Sequence, residues 1–295
     1  MAKSFPGPSP IALREIKSRM RNGRAYAVLT VYMAVLSGIA LFLYAGAVLG
    51  NPNNAIDSST KVGAALFYVV VGLQIVLVSF VGPAFTAGAI SGERERRTMD
   101  LLTVSLLTPR QIAVGKLASA LGFILILVAA TTPLFSLAFL LGGIETGQLA
   151  AALSVVVASA TLFSTLGLFV SSRAPTTLSA AIITYAALLG IVIGMAVMAT
   201  ALFPVLDNAT RAAAGGAASL SATVLSALFF VIISLSPISA LVATEANFQN
   251  SGNLLTLAIG APATATLPAP FLILCVAYLA ASAMLFWLAT RAIGR

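Results

Sequence analysis

Charge is almost absent from long stretches of this 295-residue chain, and that absence constrains the fold more than any motif does. Charge-free intervals run over residues 25–56, 62–92, 117–144, 146–172, 174–206, 212–244 and 246–290. Each exceeds the ~20 residues that carry a helix across a ~30 Å hydrocarbon core. Only 8% of the residues are charged and 60% are hydrophobic, whereas a water-facing domain carries about a quarter charged residues. Most of the surface must therefore face lipid. The expected class is an all-α integral membrane protein.

The basic residues set the number of crossings. With six, Lys3, Arg14, Lys17, Arg19, Arg21 and Arg24 precede the first span, and Arg94, Arg96, Arg97, Arg110 and Lys116 follow the second. Arg173 then follows the fourth, Arg291 and Arg295 follow the sixth, and only Lys61 and Arg211 lie on the opposite side. Cytoplasmic loops carry the Lys/Arg excess, so both termini are expected in the cytoplasm, at a bacterial-type inner (plasma) membrane. A seventh crossing would move Arg291 and Arg295 outside. The expected spans lie near 25–50, 62–90, 112–141, 149–171, 178–203 and 267–290, forming one transmembrane domain (25–295) behind a cytoplasmic leader (1–24). Residues 204–266 are expected outside. Within them 212–244, rich in Ser, Thr and Ala and carrying Pro237, reads as a re-entrant or interfacial helix packed between others, with a seventh span as the alternative.

The first apolar stretch is too long for a signal-peptide core and sits behind the basic leader, so no cleavage is expected. Cys275 is the single cysteine, which excludes a disulfide framework. The net charge of +8 is accounted for by topology and anionic lipid, and no nucleic-acid partner is expected.

Several chemistries are excluded by composition. There is no histidine, and no Asp or Glu lies inside an expected span, although intramembrane ionisable groups mark ion pathways. Asp57, Glu145, Asp207 and Glu245 are scattered singly outside. Gly115-Lys116 is followed by Leu117, and Arg110 stands at the first-glycine position of a P-loop. No catalytic, cofactor or metal site is expected on this chain, and energy for uphill transport must come from another.

Two cytoplasmic elements have character. In the leader, Pro10 follows Ser9 as the first residue of a helix over 11–21. It places Ala12, Leu13, Ile16 and Met20 on one face and Arg14, Lys17, Ser18 and Arg21 on the other, beside Glu15. That pattern suits an interfacial helix, or simply a positive-inside anchor. The second element is the loop between spans two and three, where Glu93, Arg94, Glu95, Arg96, Arg97 and Asp100 cluster. Thr98 is placed to cap a short amphipathic helix carrying Leu101, Leu102 and Leu106. Thr108-Pro109-Arg110-Gln111 reads as a capping box opening span three. By physics alone this knob is either a partner-docking element or a solvated, self-paired turn.

The stretch from Ser91 to Lys116, S-G-E-R-E-R-R-T-M-D-L-L followed by S-L-L-T-P-R-Q-I and G-K, resembles the signature of ABC type-2 permeases. The leader P-I-A-L-R-E-I-K-S-R-M-R and Ser236-Pro237-Ile238-Ser239-Ala240 resemble the family's interfacial and external helices. Arg97 stands where glycine is frequent, and Ser9 where asparagine often precedes the proline. The resemblance implies a non-catalytic transmembrane subunit of an ATP-binding-cassette exporter, paired with a second identical or homologous permease. Each permease would rest on a separate cytoplasmic ATPase that holds the ATP and magnesium. It assigns 93–107 as the coupling helix, including Glu93–Arg97, Asp100, Leu101 and Leu102, with Arg14, Glu15, Lys17 and Arg21 in the helix beside it. Gly46 and Gly50, and Gly190 and Gly194, form G-x-x-x-G pairs suited to a permease–permease contact. The competing readings are an ATP-independent channel or carrier, and a membrane anchor recruiting a soluble partner. The transported substrate has no sequence signature.

Overall fold

The computed structural model describes residues 23–50, 55–97, 108–214, 228, 230–232, 234–259 and 265–294. The helices are α1 (Gly23–Gly50), α2 (Ala55–Thr86), α3 (Ser91–Glu95), α4 (Pro109–Ala130), α5 (Thr132–Leu140), α6 (Thr146–Arg173), α7 (Thr177–Ala214), α8 (Pro237–Ser251) and α9 (Pro270–Ile293). A two-stranded antiparallel hairpin, β1 (Thr256–Ile259) with β2 (Ala265–Pro268), precedes α9. Six stretches among the described residues are long and apolar enough to span a membrane. They are Tyr26–Gly46, Val62–Glu95, Pro109–Leu140, Thr146–Arg173, Thr177–Met195 and Pro270–Ile293, matching the six expected crossings. The chain is an all-α multi-pass membrane protein.

Some boundaries differ, each for a local reason. Span six begins at Pro270 rather than near 267, because Leu267 and Pro268 pair with Leu257 and Thr256 in the hairpin. Helix α2 starts at Ala55 inside the expected loop 51–61, and α6 starts at Thr146, directly after the turn that follows α5. Span three is broken at Thr131, since Pro133 has no N–H for the carbonyl of Ala129. The Thr132 hydroxyl donates to that carbonyl instead, at 2.6 Å. Nor is 212–244 a single helix: α7 runs through to Ala214, and α8 opens at Pro237 and continues to Ser251. Residues 215–227 lie outside the described residues, as do 1–22 with the whole leader helix.

The chain divides into two compact units. The first contains residues 1–146, Ser159–Tyr185 and Ala281–Arg295. Its centre is α2, whose Leu66, Phe67, Val70, Val71, Ile75 and Val78 are almost wholly buried. Helix α1 adds Tyr32, Leu36 and Ala40 to that core, and Phe67 meets Phe135 of α5 with ring centroids 5.7 Å apart. Helices α2 and α6 touch closely at Gly167, where a Cβ would overlap the Thr86 hydroxyl and stand 3.2 Å from Pro83 Cα.

The second unit contains Gly147–Ala158 and Ala186–Ala280. Its polar contacts join α8 to its surroundings. Gln148 donates to Glu245 at 2.6 Å, and Gln249 donates to the other oxygen of the same carboxylate at 2.7 Å. Gly252, at φ 68°, ends α8 in the left-handed conformation, and its N–H bonds the Phe248 carbonyl at 2.8 Å. The Asn247 amide then donates to the carbonyls of Asn253 and Thr256, tying the helix to the start of the hairpin. The Tyr278 hydroxyl of α9 donates to the Leu235 carbonyl at 2.8 Å.

Candidate functional site

The charged residues that stand out in sequence gather where α2 ends and α3 begins. After Thr86 the chain makes a turn, and α3 carries Glu93, Arg94 and Glu95 back over the ends of neighbouring helices. The turn is fixed by two buried serines. Ser171 Oγ of α6 accepts the N–H groups of Ile90 (3.0 Å) and Ser91 (3.1 Å). Ser91 Oγ donates to the Ala87 carbonyl and lies 3.2 Å from Ser171 Oγ. Both serines are wholly inaccessible, so backbone donors exposed by the helix break find partners inside the protein. Beneath them Ile90, Ala113 and Leu168 form an apolar seat, joined by Ala89, Leu117, Phe286 and Ile293.

Each of the first three charges reaches a different element. Glu93 Oε1 pairs with Lys116 Nζ of α4 at 2.9 Å, and the lysine side chain is only 10% exposed. Arg94 donates from Nη1 to the Ala174 carbonyl (2.9 Å) and from Nη2 to the Ser172 carbonyl (3.2 Å). Those carbonyls lie at the C-terminal end of α6, in its last turn and just beyond it, where helical acceptors lack intrahelical partners and a cation is favoured. Glu95 accepts the Thr177 N–H (3.0 Å) and the Thr177 hydroxyl (2.8 Å). Thr177 is the first residue of α7, so this carboxylate sits at the positive end of a helix dipole. A joint results, in which three successive side chains fasten α3 to α4, α6 and α7.

Glu93, Arg94 and Glu95 therefore each have a partner on another element. Arg96 and Arg97 are exposed beyond the joint. Arg97 is the one non-glycine residue with positive φ (54°) among the described residues, at the position where the resembling signature often has glycine. Thr108 Oγ1 accepts the Gln111 N–H at 3.3 Å while Gln111 Oε1 accepts the Thr108 N–H at 2.9 Å. This is the capping box expected from the sequence. Asp100, Leu101, Leu102 and the Thr98-capped helix lie outside the described residues, as do Arg14, Glu15, Lys17 and Arg21.

The partners of the three charges were not evident in sequence. Lys116 carried one usable signal: an ammonium two turns inside an apolar helix requires a carboxylate. Ser171, Ser172 and Thr177 carried none, because their bonds join residues about eighty positions apart. Of the small-residue pairs, Gly46, Gly190 and Gly194 face open space, with nothing within 4 Å of a built Cβ. Among the described residues they bring no two helices into close contact.

A family model described as "ABC-2 family transporter protein" matches residues 9–289, nearly the whole chain. A comparison with curated proteins found no match.

Proposed function

The chain belongs to the ABC-2 transporter family, and on that premise we propose that it is the permease of an exporter whose α3 joint couples it to a cytoplasmic ATPase. Permeases of this family are the membrane components of ATP-binding-cassette transporters and work with ATPase subunits. The α2–α3 end and both termini then face the cytoplasm, as the Lys/Arg distribution indicates. A second permease copy completes the translocation path, and the open surface at Gly46, Gly190 and Gly194 suits that contact.

The observation that carries the coupling assignment is the joint itself. Helix α3 continues from α2 and is bonded to α4, α6 and α7 within five residues. A force applied to this corner acts on four spans through short polar bonds, not through a flexible loop. Arg96 and Arg97 project past the joint and are free to meet an acidic rim on the ATPase. The chain acts as a mechanical transducer, with ATP and magnesium held by the partner.

The test is copurification. Arg96→Glu combined with Arg97→Asn, which keeps a residue tolerant of positive φ, should reduce the ATPase recovered with the chain and the turnover linked to transport. Truncating hydrogen-bonded charges at an interface costs about 2–5 kcal/mol, so the loss should exceed tenfold. Membrane insertion should be unchanged. Stoichiometric ATPase recovery with full turnover in this variant would refute the assignment.

A further inference from the structure

Helix α9 ends in a surface strip that the joint does not use. Trp287 is the single tryptophan of the chain and is 50% exposed. Met284, 64% exposed, precedes it by three residues, and Arg291, also exposed, follows by four. Residues at these spacings share a helix face, while Ala289 on another face is fully buried. The strip thus turns outward and passes from aliphatic through aromatic to cationic as the helix ends.

The Arg291 guanidinium lies over the Trp287 ring, 3.6 Å from its centroid. Stacking engages one π face of the guanidinium and leaves its in-plane N–H edge available for a bidentate oxygen acceptor such as phosphate. Among the described residues no carboxylate pairs with Arg291. Gly294 lies beside the start of α4, where a built Cβ would stand 3.5 Å from Pro109 Cγ. That contact brings exposed Arg110 onto the adjoining helix end.

We propose that this strip binds one anionic phospholipid, with Arg291 on its phosphate and Met284 and Trp287 along its glycerol and upper acyl chain. The order of groups matches the order of layers in a leaflet: hydrocarbon, then the interface where tryptophan settles, then the charged headgroups. The site needs neither the ATPase partner nor a particular orientation of the chain. A competing account gives Arg291 only a helix-terminal role, complementing the negative end of the α9 dipole. That account requires no preference among headgroups.

Trp287 supplies its own readout, because no other tryptophan contributes to the fluorescence. The full chain is reconstituted in phosphatidylcholine vesicles in which either phosphatidylglycerol or phosphatidylcholine carries brominated acyl chains. Brominated phosphatidylglycerol should quench Trp287 with about fivefold higher apparent affinity, the preference expected for one basic residue near an anionic headgroup. Arg291→Gln should bring the ratio to unity, and Arg291→Lys, which keeps the charge but loses the stacked bidentate fork, should retain only part of it. Equal quenching of the wild-type chain by the two lipids overturns the proposal, as does a preference that survives Arg291→Gln. Quenching by neither lipid means that protein, such as a second copy, covers the strip, and this also overturns it. Should Arg291→Gln fail to insert, the wild-type ratio decides the matter.

Discussion

At Arg97 the backbone is left-handed (φ 54°), a conformation that costs an L-residue about 1–2 kcal/mol. Glycine avoids that strain but loses about 0.5–1 kcal/mol of backbone entropy on folding. Arg97→Gly should therefore leave stability unchanged or raise it by up to ~1.5 kcal/mol. A clear fall in the melting temperature of the purified chain would mean that the Arg97 side chain holds a contact within the protein. Glu93 poses the opposite case. Its partner Lys116 is 10% exposed and Glu93 itself 30%, so removing the carboxylate takes a close anionic partner from a largely desolvated ammonium. Breaking one side of a buried pair costs about 3–5 kcal/mol, and partial exposure here places Glu93→Ala near the lower end. Adding Lys116→Met should recover most of the loss, because methionine needs no carboxylate. If Glu93→Ala melts like wild type, the pair contributes nothing to stability.

At the scale of elements, helices meet closely only where the side chains permit it. Gly167 lets α6 approach α2 at Thr86 and Pro83, whereas Gly190 of α7 faces open space. Gly167→Ala should cost about 1–3 kcal/mol through overpacking. Gly190→Ala should be neutral to folding and, if anything, favoured by helix propensity. Thermal unfolding of the two variants side by side separates these outcomes, and equal melting temperatures would contradict the close contact. The break at Thr131 shows a second element-level rule. A proline inside a membrane span is tolerated when a neighbouring hydroxyl satisfies the freed carbonyl, as Thr132 does for Ala129.

For the whole molecule, topology is the first matter to measure. Reporter fusions after Arg173 and after Arg295 should both read cytoplasmic, and one after Glu245 should read external. An external reading after Arg295 would restore a seventh crossing within 204–266 and reverse the last helix. Such a result would leave the α3 joint intact, because its bonds lie between α3, α4, α6 and α7. It would also leave the lipid strip on α9 intact but assign it to the other leaflet.

Class and span count were legible in sequence because a charge in hydrocarbon is costly, so charge-free runs mark crossings without any knowledge of packing. Local chain chemistry was equally legible: Thr108 and Gln111 cap α4 through residues three apart, and that information lies within one turn. The motif Glu93-Arg94-Glu95 was visible, but its partners were not. Lys116, the Ser172 and Ala174 carbonyls and Thr177 reach it only through the tertiary arrangement of helix ends, across separations of 23 to 82 residues. The start of α9 was obscured for a related reason. Leu267 and Pro268 are as apolar as a helix start, and only their pairing with Leu257 and Thr256 makes them a strand. Sequence alone determined what must be buried in lipid; the tertiary structure decided which polar group satisfies which, since hydrogen bonds depend on distance in space and not along the chain.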